Sequence, residues 1–196
     1  MGKRVCVFCA SSDLSDNIYL DSAFRLGEIL AENSIDVSYG GGMAGCMGKL
    51  ADGALSKGGK VFGVIPKFMF ELEWGNDKIT ELKIVNSLSE RKETLLETAD
   101  ATVVLPGGSG TLEELFEAIT LKRLGVYLNP IIIVNIKNYY NPCIQLLENS
   151  IEEKFMDERN RQMWKVVDNV EDVLSAIELS SSWSSDSKHF ATVRKP

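Results

Sequence analysis

The sequence predicts an α/β fold in which a central parallel β-sheet is flanked by helices in a three-layer, Rossmann-like arrangement. Short runs rich in β-branched residues alternate with longer amphipathic segments along most of the chain. Ile131–Val134 is apolar at every position and residues 101–105 nearly so, as expected of strands covered on both faces of a parallel sheet. This alternation favours right-handed strand–helix–strand crossovers.

The predicted elements follow one another in a regular order. The predicted strands are 5–10, 37–39, 61–65, 82–85, 101–105, 131–134 and 166–167. The predicted helices are 20–32, 47–56, 90–98, 112–124, 142–155 and 170–179, and Gly125 is a stop signal for the fourth. Residues 68–78 carry aromatic and methionine side chains without a clear period, so we expect a loop near a ligand or an interface there.

Length and composition predict one domain, residues 1–179, followed by a serine-rich, mobile tail at 180–196. Of the 196 residues, 44% are hydrophobic and 25% charged, values ordinary for a globular protein. The formal net charge of −7 argues against nonspecific binding to nucleic acid or to an anionic membrane. No apolar run is long enough to cross a bilayer, and the expected location is the cytoplasm.

The cysteine and histidine content excludes several kinds of chemistry. Cys6 and Cys9 have C-x-x-C spacing, but an odd offset within a strand sends the two side chains to opposite faces, so they cannot readily chelate one ion. His189 is the only histidine and lies in the predicted tail. We therefore predict no metal and no histidine-based catalysis, and carboxylates, Arg, Lys and backbone groups remain as candidates.

A first glycine-rich loop, Gly40-Gly41-Gly42-Met43-Ala44-Gly45, follows a strand and precedes a helix. It satisfies G-x-G-x-x-G, but a dinucleotide site also needs an acidic residue at the end of the next strand, which here ends in Ile65-Pro66. A Walker phosphate loop fails as well, because Leu50 stands where Ser or Thr should follow Lys49.

A second glycine-rich turn, Pro106 to Thr111, connects the strand at 101–105 to the helix predicted at 112–124. Gly107, Gly108 and Gly110 allow a ligand to approach main-chain N–H groups, and Thr111 is a plausible helix cap. The helix start favours an anion such as phosphate, and it also favours ionised carboxylates. For Glu113 and Glu117, stabilisation of the helix start is therefore sufficient explanation.

The nine residues from Pro106 to Glu114 match P-G-G-x-G-T-x-x-E, which resembles the signature of the LONELY GUY (LOG) family of nucleoside 5′-monophosphate phosphoribohydrolases. The similarity extends from about Val5 to Ser175. It includes the first strand with Cys6 to Ser12, the glycine loop after Tyr39, Gly63-Val64-Ile65-Pro66 and Glu90-Arg91-Lys92. Departures are few: Cys46 stands where Leu is usual, and Leu88-Ser89 replaces Met-His.

The resemblance implies an activity and assigns residues to it. It implies cleavage of the N-glycosidic bond of AMP or an N6-substituted adenine nucleotide to free base and ribose 5-phosphate, without a cofactor. Arg91 and Glu114 would be catalytic. The implied substrate-binding residues are Gly41, Gly42, Lys92, Gly107, Gly108, Ser109, Gly110 and Thr111.

Two other functions and one assembly state remain open. A nucleotide-binding carrier would need the glycine turn but no carboxylate at the ribose, and a pyridoxal-phosphate lysine decarboxylase would need a lysine placed for a Schiff base. The resemblance also implies a homodimer whose subunits complete each other's sites. The helix at 112–124 agrees, because Ala118 and Leu121 face away from its main apolar stripe; the helix at 142–155 of the same chain is the alternative cover.

Overall fold

A computed structural model describes residues 3–72 and 74–193 and contains a seven-stranded, all-parallel sheet of order β4-β3-β2-β1-β5-β6-β7. The strands are β1 Arg4–Phe8, β2 Asp36–Tyr39, β3 Val61–Pro66, β4 Glu81–Val85, β5 Ala101–Val104, β6 Ile131–Val134 and β7 Lys165–Val167. The predicted fold class is thereby confirmed. The order of the strands reverses between β1 and β5, which opens a crevice at the carboxyl ends of these two strands.

Helices cover both faces of the sheet. They are α1 Asn17–Glu32, α2 Gly45–Ser56, α3 Lys67–Phe70, α4 Leu88–Glu97, α5 Ser109–Arg123, α6 Asn141–Glu152 and α7 Val173–Glu178. One core joins a face of the sheet to α1, α2 and α7, and a second joins the other face to α4, α5 and α6. Cys9 lies in the first core and Cys6 in the second, as the odd offset predicted. No helix in the described part of the chain is long and apolar enough to span a membrane.

Several predicted elements differ from the structure in their bounds: α1 begins at Asn17 rather than at residue 20, α6 ends at Glu152 rather than at 155, and α7 begins at Val173 rather than at 170. A short helix, α3, interrupts the segment predicted as a loop at 68–78. α5 begins at Ser109 rather than at residue 112, and Gly108 is its N-cap residue. The glycines of the turn obscured this start, because glycine is a poor helix former by propensity although it is readily accommodated in a first turn. Gly125, with φ +72°, follows the end of α5 as predicted.

The cover on α5 comes from segments near the end of the same chain. Ala118 is fully buried, and Leu121 packs against the second core. α5 contacts two 3-10 helices, Glu158–Met163 and Ser185–Phe190, and shares the second core with α6. The cover that the sequence left to a partner or to α6 is thus supplied in part by these segments.

The segment expected to be a mobile tail has defined contacts over its described part, 180–193. The Trp183 indole Nε1 donates a hydrogen bond to the carbonyl oxygen of Lys122 at 2.7 Å, and Ser187 is buried. Trp183 also packs edge to face with Phe190. These aromatic side chains give a serine-rich segment an anchor that its average composition did not indicate. Residues 194–196 of the predicted tail lie outside the described residues.

Candidate active site

A cavity of about 720 Å³ occupies the crevice where the strand order reverses. The segment that follows β1, the end of β3, the two glycine-rich loops, α4, the start of α5 and the segment around α3 all contribute to its wall. The lining residues are Cys9, Ala10, Ser11, Ser12, Gly40, Gly42, Met43, Ala44, Met47, Ile65, Met69, Trp74, Arg91, Gly108, Ser109, Gly110, Thr111 and Glu114. Ligands of open α/β folds bind at such a position.

The start of α5 forms one end of this cavity. Gly108 has extended backbone angles and no side chain to cap the helix, and Ser109, Gly110 and Thr111 form the first turn. The first N–H groups of a helix have no intrahelical partner, and the helix dipole adds positive potential there. Thr111 is not the cap that the sequence predicted, because it already lies inside the helix and is buried.

The start of α2 also faces the cavity, but it is occupied by protein acceptors. The Asp13 Oδ1 atom accepts a hydrogen bond from the Gly45 N–H at 2.7 Å. The Ala10 carbonyl oxygen accepts one from the Met47 N–H at 3.1 Å. An incoming anion would have to displace these acceptors at α2, whereas the start of α5 has no side-chain cap.

Arg91 is buried beneath the cavity and tightly held. Its Nε donates to the Val64 carbonyl oxygen and its Nη2 to the Gly40 carbonyl oxygen, both at 3.0 Å. The remaining Nη1 lies 3.7 Å from Glu114 Oε1. The guanidinium is therefore not free to hold a phosphate with two of its nitrogens, and its available nitrogen faces Glu114.

Glu114 is the carboxylate that the structure brings to the cavity wall. Only 7% of its surface is exposed, and burial raises its pKa to about 7, while the positive charge of Arg91 opposes the shift. A carboxyl group with such a pKa can change its protonation state near neutral pH, which suits proton transfer. Glu113 and Glu117 instead form ion pairs with Lys92.

Three of the predicted substrate-binding residues do not line the cavity. Lys92 follows Arg91 on α4 and therefore points about 100° away from it around the helix. Its ammonium group forms ion pairs with two glutamates of α5. Gly41, with φ +77°, holds the loop by accepting a hydrogen bond from Asn76. A Cβ on Gly107 would lie 2.2 Å from Thr111 Oγ1, so this glycine permits the tight turn. The structure thus gives these three residues supporting positions.

The structure brings an apolar wall to the cavity that the sequence analysis did not assign. Met43, Met47, Ile65, Met69 and Trp74 line the cavity together with the start of α5. Met43 and Trp74 meet because the Met43 N–H donates to the Trp74 carbonyl oxygen and because Gly42 bridges to Gly75. The aperiodic aromatic and methionine content of 68–78 was the available signal. Ser11 and Ser12, which follow β1, were also missed as lining residues.

The fold and cavity define a Rossmann-like α/β protein with an uncapped helix start beside a buried carboxylate. The profile of a family described as "Possible lysine decarboxylase" matches residues 47–177. The chain belongs to this family, and its curated relatives identify it as the LOG family.

Plant relatives are more than a third identical to this chain over the aligned residues. A cytokinin riboside 5′-monophosphate phosphoribohydrolase of Arabidopsis thaliana is 37% identical over 90% of this chain and 81% of its own length. A probable enzyme of the same name from Oryza sativa subsp. japonica is 40% identical over 79% of this chain, and the match spans 63% of that relative.

Solved structures agree with the fold. The molybdenum cofactor carrier protein of Chlamydomonas reinhardtii superposes with a TM-score of 0.70 at 17% identity, covering 91% of this chain and 97% of that one. A structural genomics target superposes with the same TM-score at 25% identity, covering 90% and 98%.

Proposed function

We propose that the protein hydrolyses the N-glycosidic bond of a nucleoside 5′-monophosphate with an adenine or N6-substituted adenine base. The products are the free base and ribose 5-phosphate. The single observation that carries the proposal is the buried Glu114 carboxyl group, which faces the cavity from the same helix whose uncapped start attracts an anion. The relatives named above bear the name of this activity.

The geometry allows the substrate to be oriented by its two ends. The 5′-phosphate would bind the N–H groups of Gly108, Ser109 and Gly110, where charge and unpaired donors coincide. The base would rest on the apolar wall, whose methionine sulfur atoms and Trp74 ring suit a planar aromatic ligand. The ribose would then lie between these ends, next to Glu114.

The chemistry requires only groups that this chain supplies. As the C1′–N bond breaks, its electron pair leaves with the base, and the sugar gains oxocarbenium character that a Glu114 carboxylate stabilises. The carboxylate accepts a proton from a water molecule whose oxygen bonds to C1′. The departing base takes up a proton from solvent, and Glu114 releases its proton to solvent, which restores the carboxylate. Arg91 keeps Glu114 oriented through its Nη1 group.

The cavity also bears on the two competing functions. No lysine lines it among the described residues, and the buried Lys122 donates to the Asn129 carbonyl oxygen at the far end of α5. A lysine decarboxylase that forms a Schiff base therefore lacks its nucleophile at this site. A carrier would bind nucleotide without turnover, and the fold it shares with the cofactor carrier protein does not separate the two functions.

The test incubates the purified protein with AMP and with isopentenyladenosine monophosphate, and it resolves the free base by chromatography. Adenosine serves as the substrate without a phosphate, and Glu113→Gln is the matched control because Glu113 points toward Lys92. We expect base release from a nucleotide by wild type and by the Glu113 variant. Nucleotide binding with no release of base would instead identify a carrier.

We also propose that the protein is a cytoplasmic homodimer. The dimer is supported by exposed apolar side chains at and after the end of α5, namely Leu124, Val126 and Leu128. The location is supported by the four unpaired thiols, which are typical of a reducing compartment. Leu121 is half-buried in its own chain, so a charge there would also disturb the fold; Val126→Glu is the cleaner interface variant. Light scattering should show a dimer for wild type. A wild-type monomer at micromolar concentration would disprove the proposed dimer.

A further inference from the structure

The hydroxyl group of Tyr139 contacts the second glycine-rich turn, Pro106 to Thr111, from outside the cavity. It donates a hydrogen bond to the Gly107 carbonyl oxygen at 2.6 Å. Tyr139 does not line the cavity, whereas the next residue of the turn, Gly108, does. The contact joins residues 32 positions apart and lies on the main chain of the predicted anion site.

This hydrogen bond controls the direction of a particular N–H group. The peptide between Gly107 and Gly108 is trans. In a planar trans peptide the carbonyl and the N–H point in opposite directions. Holding the Gly107 carbonyl toward Tyr139 therefore turns the Gly108 N–H away from Tyr139. A glycine pair resists such a rotation less than other residues would, so an external contact is needed to fix it.

The surrounding residues hold Tyr139 in place. Lys137 and Asn138 both have left-handed backbone angles, with φ of +54° and +59°, a conformation that asparagine tolerates but that is unfavourable for lysine unless neighbouring contacts compensate the cost. The Tyr139 ring packs edge to face against Tyr19 and Tyr140. Lys137 in turn forms an ion pair with Asp16, the N-cap residue of α1. A strained turn that is anchored on both sides thus presents the hydroxyl group.

Tyr140 makes a similar contact with a different consequence. Its hydroxyl donates to the Leu105 carbonyl oxygen at 2.8 Å. The peptide that follows Leu105 belongs to Pro106 and has no N–H group. Loss of the Tyr140 hydrogen bond would weaken the packing but would misdirect no donor.

We propose that Tyr139 is a positioning residue of the phosphate site, whose hydroxyl holds the Gly107–Gly108 peptide so that the Gly108 N–H faces the 5′-phosphate of the substrate. The inference rests on the proposed function in taking the start of α5 as the phosphate site. Tyr139 itself touches no substrate. Its effect is confined to ligands that carry the phosphate.

The test compares Tyr139→Phe with Tyr140→Phe, since each variant loses one hydroxyl group from adjacent tyrosines. Titration calorimetry measures the affinity for AMP and for adenosine in the full chain, with Glu114→Gln present in every variant so that AMP is bound without being hydrolysed, and thermal melting checks the fold. We expect Tyr139→Phe to lower the AMP affinity about tenfold, as for one misaligned hydrogen bond to a charged group, with adenosine affinity unchanged. Tyr140→Phe should lower the melting temperature and keep the wild-type ratio of AMP to adenosine affinity.

Several results would overturn the inference. Three results would show that Tyr139 is merely structural. They are a wild-type ratio of AMP to adenosine affinity in Tyr139→Phe, an equal loss of affinity for both ligands in that variant, and the same change of the ratio in Tyr140→Phe. A wild-type protein with no preference for AMP would overturn the phosphate site and this inference together. Preference for AMP without release of base would remove the proposed function alone. If Tyr139→Phe does not fold, Tyr19→Leu takes its place in the test, because it removes a ring contact that holds Tyr139 in position. The ratio of AMP to adenosine affinity in this variant then decides the inference.

Discussion

The starts of α2 and α5 face the same cavity, yet they differ in what meets their N–H groups. At α2, the Asp13 carboxylate and the Ala10 carbonyl oxygen occupy donors of the first turn. At α5, Gly108 provides no capping side chain. Both helices follow glycine-rich loops after parallel strands, so the motif alone does not make an anion site. The difference teaches that a helix start binds a ligand when the protein leaves its donors unoccupied.

The largest effect is expected on kcat when Glu114 of α5 is replaced. This variant tests whether α5 carries the catalytic carboxylate in addition to the phosphate site. Glu114→Gln should keep the fold and most of the AMP affinity but lower kcat by about 10²–10⁴-fold, because the carboxylate that stabilises the sugar cation is lost. Rates of base release, measured beside Glu113→Gln, check this. Turnover close to that of wild type in the Glu114 variant would remove its assigned role.

The second prediction concerns a variant that places a capping carboxylate at the start of α5, as Asp13 does at the start of α2. A Cβ at Gly108 meets nothing within 4 Å, and the backbone there suits a capping residue. Gly108→Asp should therefore cap the helix and stabilise the fold by roughly 0.3 kcal/mol, because glycine is itself a tolerated N-cap residue. The same carboxylate should repel the phosphate and weaken AMP binding by about 30-fold or more, the effect of one charge in a site of intermediate dielectric.

Gly108→Ala is the matched control, because it adds a Cβ without a cap or a charge. Thermal melting and AMP titration measure the two effects separately. An Asp variant that binds AMP as well as the Ala variant does would contradict the placement of the phosphate at α5.

The third prediction concerns the pH dependence set by Glu114. Since burial raises its pKa to about 7, the active carboxylate form should accumulate as the pH rises. The value of kcat/KM should therefore increase about tenfold between pH 6 and pH 8 and then level off, if one ionisation controls it. The measurement is a pH–rate profile with AMP. A profile that falls over this interval would indicate that the protonated form acts as a general acid instead.

The same shift predicts the pH dependence of stability. The pKa of Glu114 in the folded state lies above its usual value of 4.5. The folded protein therefore binds the proton more tightly, and stability is lost as the pH rises from about 4.5 through 7. Glu114→Gln should be more stable than wild type at pH 8, with the difference disappearing near pH 4.5. Denaturant unfolding at the two pH values checks the sign.

The smallest effect is expected at α2. Asp13→Ala should cost about 1 kcal/mol in the free energy of unfolding, because the Gly45 N–H loses its acceptor. AMP affinity should change less than fivefold, since we place the phosphate at the other helix and a single distant hydrogen bond has little influence there. Asp13→Asn retains an oxygen acceptor and is the control. A large gain in AMP affinity for Asp13→Ala would show that α2 takes the phosphate once it is uncapped.

Local patterns in the sequence determined the layers of the fold, and the resemblance of one motif to a known family singled out Glu114 as the catalytic candidate. The apolar runs predicted the strands that the structure contains, because strands covered on both faces need apolar residues throughout. The turn from Pro106 to Thr111 and Glu114 lie within nine residues of one another, so their proximity followed from a strand, a turn and a helix start alone. The odd spacing of Cys6 and Cys9 likewise predicted their opposite faces.

Only the tertiary structure decided which other side chains reach this turn. Arg91 is held by Val64 and Gly40, which are 27 and 51 positions away, because β2 and β3 end beside α4. Asp13 caps a helix that begins 32 residues later. Such contacts depend on the order of strands in the sheet, which a period of apolar residues does not encode. The sequence by itself therefore determined the strand, turn and helix that carry the proposed site, whereas the folded chain decided which donors stay open, because that depends on acceptors brought from distant segments.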